Sequence, residues 1–129
     1  MNSLRRGVSG LIIKEQSLLL IKREKAPYKN RWTLPGGKIE NEESIDNAIK
    51  REIQEEVGLI VDVYQPLIIQ VIKKYNYVLY TKCCSIIGEE IPQEKIEFQY
   101  FPIQDFFLME KRKLTPDLQI ITKILLDSL

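Results

Sequence analysis

The chain has 129 residues, 44% of them hydrophobic and 29% charged, with a formal net charge of +1. That is enough for one domain with a real core. The balanced charge gives no footprint for nucleic acid or an anionic membrane surface, and no apolar run is long enough to span a bilayer. Histidine is absent throughout. The commonest general base, the commonest zinc ligand and every His-dependent triad are therefore excluded together.

The N-terminal stretch MNSLRRGVSGLIIKEQ carries two arginines and a short apolar patch, soon broken by Lys14 and Glu15. No small-residue cleavage site follows, so no signal peptide is expected. Gly7 to Ile13 reads as a strand, Lys14 to Gln16 as a turn and Ser17 to Lys22 as a second, buried strand of a hairpin. A charged loop, Arg23 to Arg31, leads into a short strand at Trp32 to Leu34 that stops at Pro35-Gly36-Gly37. Ser44 to Val57 is a helix, with Ser44 as N-cap and Gly58 placed to end it. Two or three strands follow between Ile60 and Ile87, then an acidic loop from Gly88 to Lys95 and a strand from Ile96 to Ile103. A second helix is expected from Thr115 as N-cap with Pro116 at its first position. Its apolar stripe is Leu118, Ile121, Ile124 and Leu125. The adjacent cysteines Cys83 and Cys84 read as small apolar strand residues facing opposite ways. A disulfide between sequence neighbours is strained, and reduced thiols suit a cytoplasmic protein. The order of elements predicts a single domain over residues 1–129, of the α+β class, around a mixed sheet.

The first helix poses a physical question. On a wheel of 100° per residue, Ile45, Ile49, Ile53 and Val57 form one apolar stripe. Glu52 and Glu56 fall within the arc spanned by Ile45, Ala48 and Ile49, Glu55 lies at its rim, and Arg51 points roughly away. Clustered carboxylates facing a protein body are costly through both desolvation and repulsion. An exposed helix laced with pairs such as Arg51–Glu55 would avoid the cost, but it accounts poorly for Glu52 and Glu56. Either basic side chains reach in, or a hard divalent cation binds. Converging carboxylate oxygens are what Mg²⁺ or Mn²⁺ prefers. Gly36 and Gly37 would let backbone approach a ligand, and the Gly36 carbonyl could supply another oxygen. A cation held with open positions is a common device of phosphate-ester chemistry.

These residues resemble the signature of the Nudix hydrolase family, G-x5-E-x7-R-E-U-x-E-E-x-G-U with U a bulky aliphatic. Gly37, Glu43, Arg51, Glu52, Ile53, Glu55, Glu56, Gly58 and Leu59 fill every fixed position. The flanks SLLLIKRE, RWTLPGGKIE and FQYFPIQDF are similar too. The resemblance implies an α/β/α sandwich with a central mixed β-sheet. It implies Mg²⁺-dependent (or Mn²⁺-dependent) hydrolysis of a nucleoside diphosphate linked to another moiety, of the (d)NTP or ADP-ribose type. It places the metal on Glu52, Glu55, Glu56 and Gly36. Glu43 and Arg51 become a brace that orients Glu52. The general base is either Glu52 or an acidic residue of the later loop, for which Glu94 and Glu97 are the candidates, with Glu89 and Glu90 nearby. Arg23, Arg31 and Gly37 are candidate substrate contacts, and Arg5 is a further phosphate-binding candidate. Tyr28, Trp32, Tyr75, Tyr77, Tyr80 and Tyr100 could stack on a base or serve as core. The expected partner is a small-molecule nucleotide, with no membrane or nucleic acid, in a monomer or a homodimer. A non-catalytic nucleotide-binding module is the competing reading.

Overall fold

A computed structural model describes residues 4–129. The opening hairpin joins β1 (Arg5–Lys14) to β2 (Ser17–Lys22). Its turn residues Glu15 and Gln16 have φ of 49° and 64°, the pair of positive values that a two-residue primed turn needs to match strand twist. Then come β3 (Trp32–Thr33), β4 (Gly36–Lys38), α1 (Ile45–Val57), β5 (Leu59–Ile72), β6 (Tyr77–Glu89), β7 (Phe98–Pro102), α2 (Ile103–Leu108) and α3 (Leu118–Asp127). The strands make one mixed sheet in the order β3-β2-β1-β6-β5, with β4 branching from β1 and β7 from β2. β1 and β6 are parallel; the other pairings are antiparallel. Along one edge β1 changes partner. Gly7–Ser9 pair with β4, and Ile13–Lys14 pair with β2.

Alternating side chains of the central strands feed two cores, which makes the sheet the middle layer of a helix–sheet–helix sandwich. Ile12, Leu19, Ile21 and Cys84 pack with Ala48, Ile49, Ile53 and Val57 of α1. Leu11, Leu18, Leu20 and Cys83 pack with Phe106, Leu114, Leu118, Ile121 and Leu125 on the other side. Cys83 and Cys84 do face opposite ways. Both are free and buried, and burial pushes both thiols up, Cys84 to about 12. Neither has thiolate character for chemistry. Lys82 of β6 reaches Asp46 in the first turn of α1 at 2.8 Å and ties helix to sheet.

Four expectations are corrected. The Trp32 strand does stop before Pro35, but Gly36 and Gly37, expected only to break it, form the new strand β4 against β1. A Cβ on Gly36 would strike the Val8 carbonyl oxygen, so only glycine allows this approach. The strand expected to reach Ile103 gives way there to α2, whose six residues are too short to show a helical period. Thr115 is not the N-cap of the last helix. Its N–H donates to the Trp32 carbonyl (3.0 Å) and its hydroxyl to Thr33 (2.9 Å), so it is held to β3. The helix starts at Leu118, after Asp117 at φ 64°. Ile124 is half exposed, and its place on the buried stripe is taken by Thr122.

Truncating Phe106 to Ala should cost about 3–5 kcal/mol, since its ring is fully buried. Ile124→Ala should cost only about 0.5 kcal/mol. Urea titration of both variants checks the contrast.

Candidate active site

α1 is fixed at both ends. The Ser44 hydroxyl accepts from the Asn47 N–H at 3.1 Å. Gly58, at φ 73°, turns the chain out of the helix and donates to the Gln54 carbonyl at 3.0 Å. The last carbonyls of a helix lack internal partners, and here the acidic loop supplies them. The N–H groups of Gln93 and Glu94 donate to the Glu55 carbonyl at 3.0 and 2.9 Å, and that of Glu90 donates to the Gly58 carbonyl at 2.6 Å. A Cβ on Gly58 would strike the Glu90 carbonyl oxygen. The loop is thereby seated beside the helix glutamates.

Glu56 is 5% exposed. Its Oε1 accepts the Gly36 N–H at 2.9 Å. Burial, and then the charge of Glu52, push its carboxyl up to about 9 against that hydrogen bond, with Glu94 and Glu55 adding to the rise. Burial also raises Glu52, against donation from Arg51. A Cβ on Gly37 would enter the Glu52 carboxylate. Gly37, a candidate substrate contact by sequence, is committed to making room for Glu52. β4 is glycine-rich because it is wedged between β1 and these two carboxylates.

Arg51 does not point away, as the wheel suggests. Its long side chain curls back onto the acidic groups. Nε and Nη2 donate to the two Glu43 oxygens at 2.7 and 3.0 Å, a bidentate pair. Nη2 also donates to the Lys38 carbonyl (2.9 Å), and Nη1 to Glu52 (3.0 Å) and Glu55 (3.4 Å). The Arg51 bond holds the Glu43 carboxyl below its ordinary value. Glu43 first, and then Glu52, push Arg51 up. One guanidinium therefore links β4, the loop before α1 and two of the three helix glutamates. The wheel finds the inward carboxylates but misses this reversal, because direction at Cβ does not fix where a long chain ends.

Among the described residues no three acidic or thiol side chains are already gathered into a ligand set. Arg51 occupies oxygens of Glu52 and Glu55, yet it does not touch Glu56, which has no ion-pair partner among the described residues. A buried carboxylate repelled by three neighbouring carboxylates, and without an ion-pair partner among the described residues, offers the hard oxygen ligands that suit a hard divalent ion. Of the loop candidates, Glu94 is the one whose charge bears on both Glu52 and Glu56. Glu90 accepts from Gln54 at 2.6 Å, Glu89 lies 4.0 Å from Lys14, and Glu97 holds β2 through its carbonyl, which accepts from the Lys22 N–H at 2.9 Å. Arg23 donates to the Pro27 carbonyl at 2.8 Å, and its charge reaches Tyr77, as does that of Glu52. Arg31 reaches the Leu114 carbonyl at 3.4 Å and lines a shallow concavity of about 360 Å³ at the start of α3. That concavity includes none of the helix glutamates.

The raised carboxyl of Glu56 has a consequence for stability. Between the ordinary value of 4.5 and about 9 the native protein holds a proton that the unfolded chain releases. Stability without metal should therefore fall as pH rises through that window. Glu52 shifts in the same direction, while the lowered Glu43 acts only below pH 4.5. In EDTA, the Tm of the protein should decline from pH 5 to pH 9, and Glu56→Gln should flatten the decline.

Comparison with known proteins places this geometry. Residues 3–123 match the model of the NUDIX domain. An ADP-ribose pyrophosphatase from Methanocaldococcus jannaschii is 49% identical over 53 residues, 41% of this chain and 31% of that protein. An 8-oxo-dGTP diphosphatase from Buchnera aphidicola is 42% identical over 53 residues, 40% of this chain and 41% of that protein. The aligned stretch thus spans under half the length of each of these curated relatives. The crystal structure of a MutT NUDIX hydrolase from Burkholderia pseudomallei superposes with a TM-score of 0.71 at 28% identity, covering 92% of this chain and 95% of that one. The helix–sheet–helix layering, the glutamate helix behind a glycine strand and the match over nearly the whole chain converge, and the chain belongs to the Nudix family.

Proposed function

We propose that this protein is a pyrophosphohydrolase acting on a nucleoside diphosphate linked to another moiety, of the (d)NTP or ADP-ribose type. Water attacks at phosphorus, and an anhydride P–O bond breaks to give two phosphorylated products. The observation that carries the reading is Glu56, buried beside Glu52 and Glu55 and without an ion-pair partner among the described residues. Mg²⁺, or Mn²⁺, would be held by Glu52, Glu55 and Glu56 with the Gly36 carbonyl. When bound, it neutralises phosphate oxygens and lowers the pKa of water. Glu43 and Arg51 hold Glu52 in place through the bidentate pair. Glu94, seated by its backbone bond to Glu55, accepts the proton of the attacking water. The names of the archaeal and Buchnera relatives support both substrate types. We take residues 1–129 as one functional domain. No helix of the described residues is long and apolar enough to cross a membrane, and two free buried thiols suit a reducing, cytoplasmic setting.

A turnover screen over (d)NTPs and ADP-ribose with Mg²⁺ should find a substrate, and EDTA should abolish activity. Glu56→Gln should leave a folded protein with activity near background. Glu94→Gln should lower kcat by about 10²–10⁴-fold, and Glu90→Gln and Glu97→Gln should not. In ¹⁸O water the label should appear in a phosphate product; label on a carbon-bound hydroxyl alone would contradict attack at phosphorus.

A further inference from the structure

Arginines divide into two groups. Arg51 and Arg112 pair with carboxylates, whereas Arg5, Arg6, Arg23 and Arg31 have no ion-pair partner among the described residues. Two of these four, Arg5 and Arg23, bear electrostatically on one phenol. Tyr77 opens β6, and its ring crosses to β1, where its hydroxyl occupies the place a Gly7 Cβ would take. Gly7 pairs in register with Lys38, whose carbonyl receives Arg51 at 2.9 Å. The phenol therefore sits one strand from the brace of the glutamate site. The Arg5 guanidinium lies 6.0 Å from the Tyr77 ring centre. Burial raises the pKa of the phenol, the charges of Arg23 and Arg5 act against that rise, and the charge of Glu52 adds to it.

Neither cation is loose. Arg5 donates to the Tyr75 carbonyl at 2.8 Å, and Arg23 donates to the Pro27 carbonyl at 2.8 Å. Tyr75 and Tyr28 meet edge to face at 6.0 Å and 88°, so the β2–β3 loop that bears Arg23 is fastened to the β5–β6 turn beside Arg5. Solvated surface arginines need no such anchoring. Two cations outside any ion pair among the described residues, anchored on joined loops beside a neutral O–H donor, form a set complementary to an anion.

We propose that Arg5, Arg23 and the Tyr77 hydroxyl form an anion subsite that takes a phosphate group of the nucleotide, the one not held at the helix glutamates. This rests on the nucleotide-hydrolase reading and adds to it a recognition element that the glutamate motif does not contain. Gly7 is part of the subsite because any side chain there would displace the hydroxyl.

The test is calorimetric titration of ADP into the full chain in EDTA, which needs neither metal nor turnover, together with KM and kcat on the substrate found with Mg²⁺. Tyr77→Phe should weaken ADP binding by about tenfold or more, as loss of a hydrogen bond to a charged group does. It should raise KM similarly, with kcat and Tm little changed. Gly7→Ala should reproduce the effect, and Arg5→Gln should weaken ADP more than adenosine. ADP binding equal in wild type and Tyr77→Phe, or no ADP binding by wild type, would overturn the subsite. Turnover with an unaltered KM in Tyr77→Phe would overturn it while leaving the hydrolase reading standing. Tyr77-dependent ADP binding without turnover would do the reverse.

Discussion

Glu56 is taken out of water by folding with one backbone N–H as its hydrogen-bond donor, and the surrounding structure is arranged around that. Its neighbours make matters worse rather than better, since Glu52, Glu55 and Glu94 all carry the same charge. A structural helix would place an apolar residue at that position, where Ile49 and Ile53 already show what packs well. The position costs stability in the absence of a cation, and local rules broken in this way mark function. The strand facing it is built to suit. Gly36 brings an N–H to the carboxylate while its own lack of a side chain admits the Val8 carbonyl.

Arg51 offsets the part of this charge that it can reach. Its bonds run to Glu43, Glu52, Glu55 and the Lys38 carbonyl, and stop short of Glu56. The result is graded. Glu43 is driven down by its bidentate partner, Glu52 is raised despite sharing it, and Glu56 is raised most clearly. Carboxylates whose environments push them apart take different roles. In this fold burial raises Glu52 and Glu56, while the Arg51 bond lowers Glu43 and opposes the rise at Glu52.

Much of this is legible in the chain itself. The order of inward burial, Glu56 then Glu52 then Glu55, follows from helical spacing alone. So do the Ser44 and Gly58 caps, whose chemistry is local. The opposed faces of Cys83 and Cys84 follow from strand alternation. What escapes is set by tertiary contact. Thr115 has every local mark of an N-cap, but β3 claims it. Gly37 looks like an open loop glycine until Glu52 is seen beneath it. That the loop is fastened beside the helix glutamates by the N–H groups of Gln93 and Glu94 is likewise invisible in the sequence.

We propose that the Glu56 carboxyl, whose pKa burial raises, gives up its proton when a divalent cation binds. Calorimetry of Mg²⁺ binding at pH 7, repeated in buffers of different ionisation enthalpy, measures it directly. A ligand carboxylate must lose its proton as metal binds. The account predicts release of close to one proton per Mg²⁺, lost in Glu56→Gln. Binding with no proton release, or release unchanged in Glu56→Gln, would contradict it.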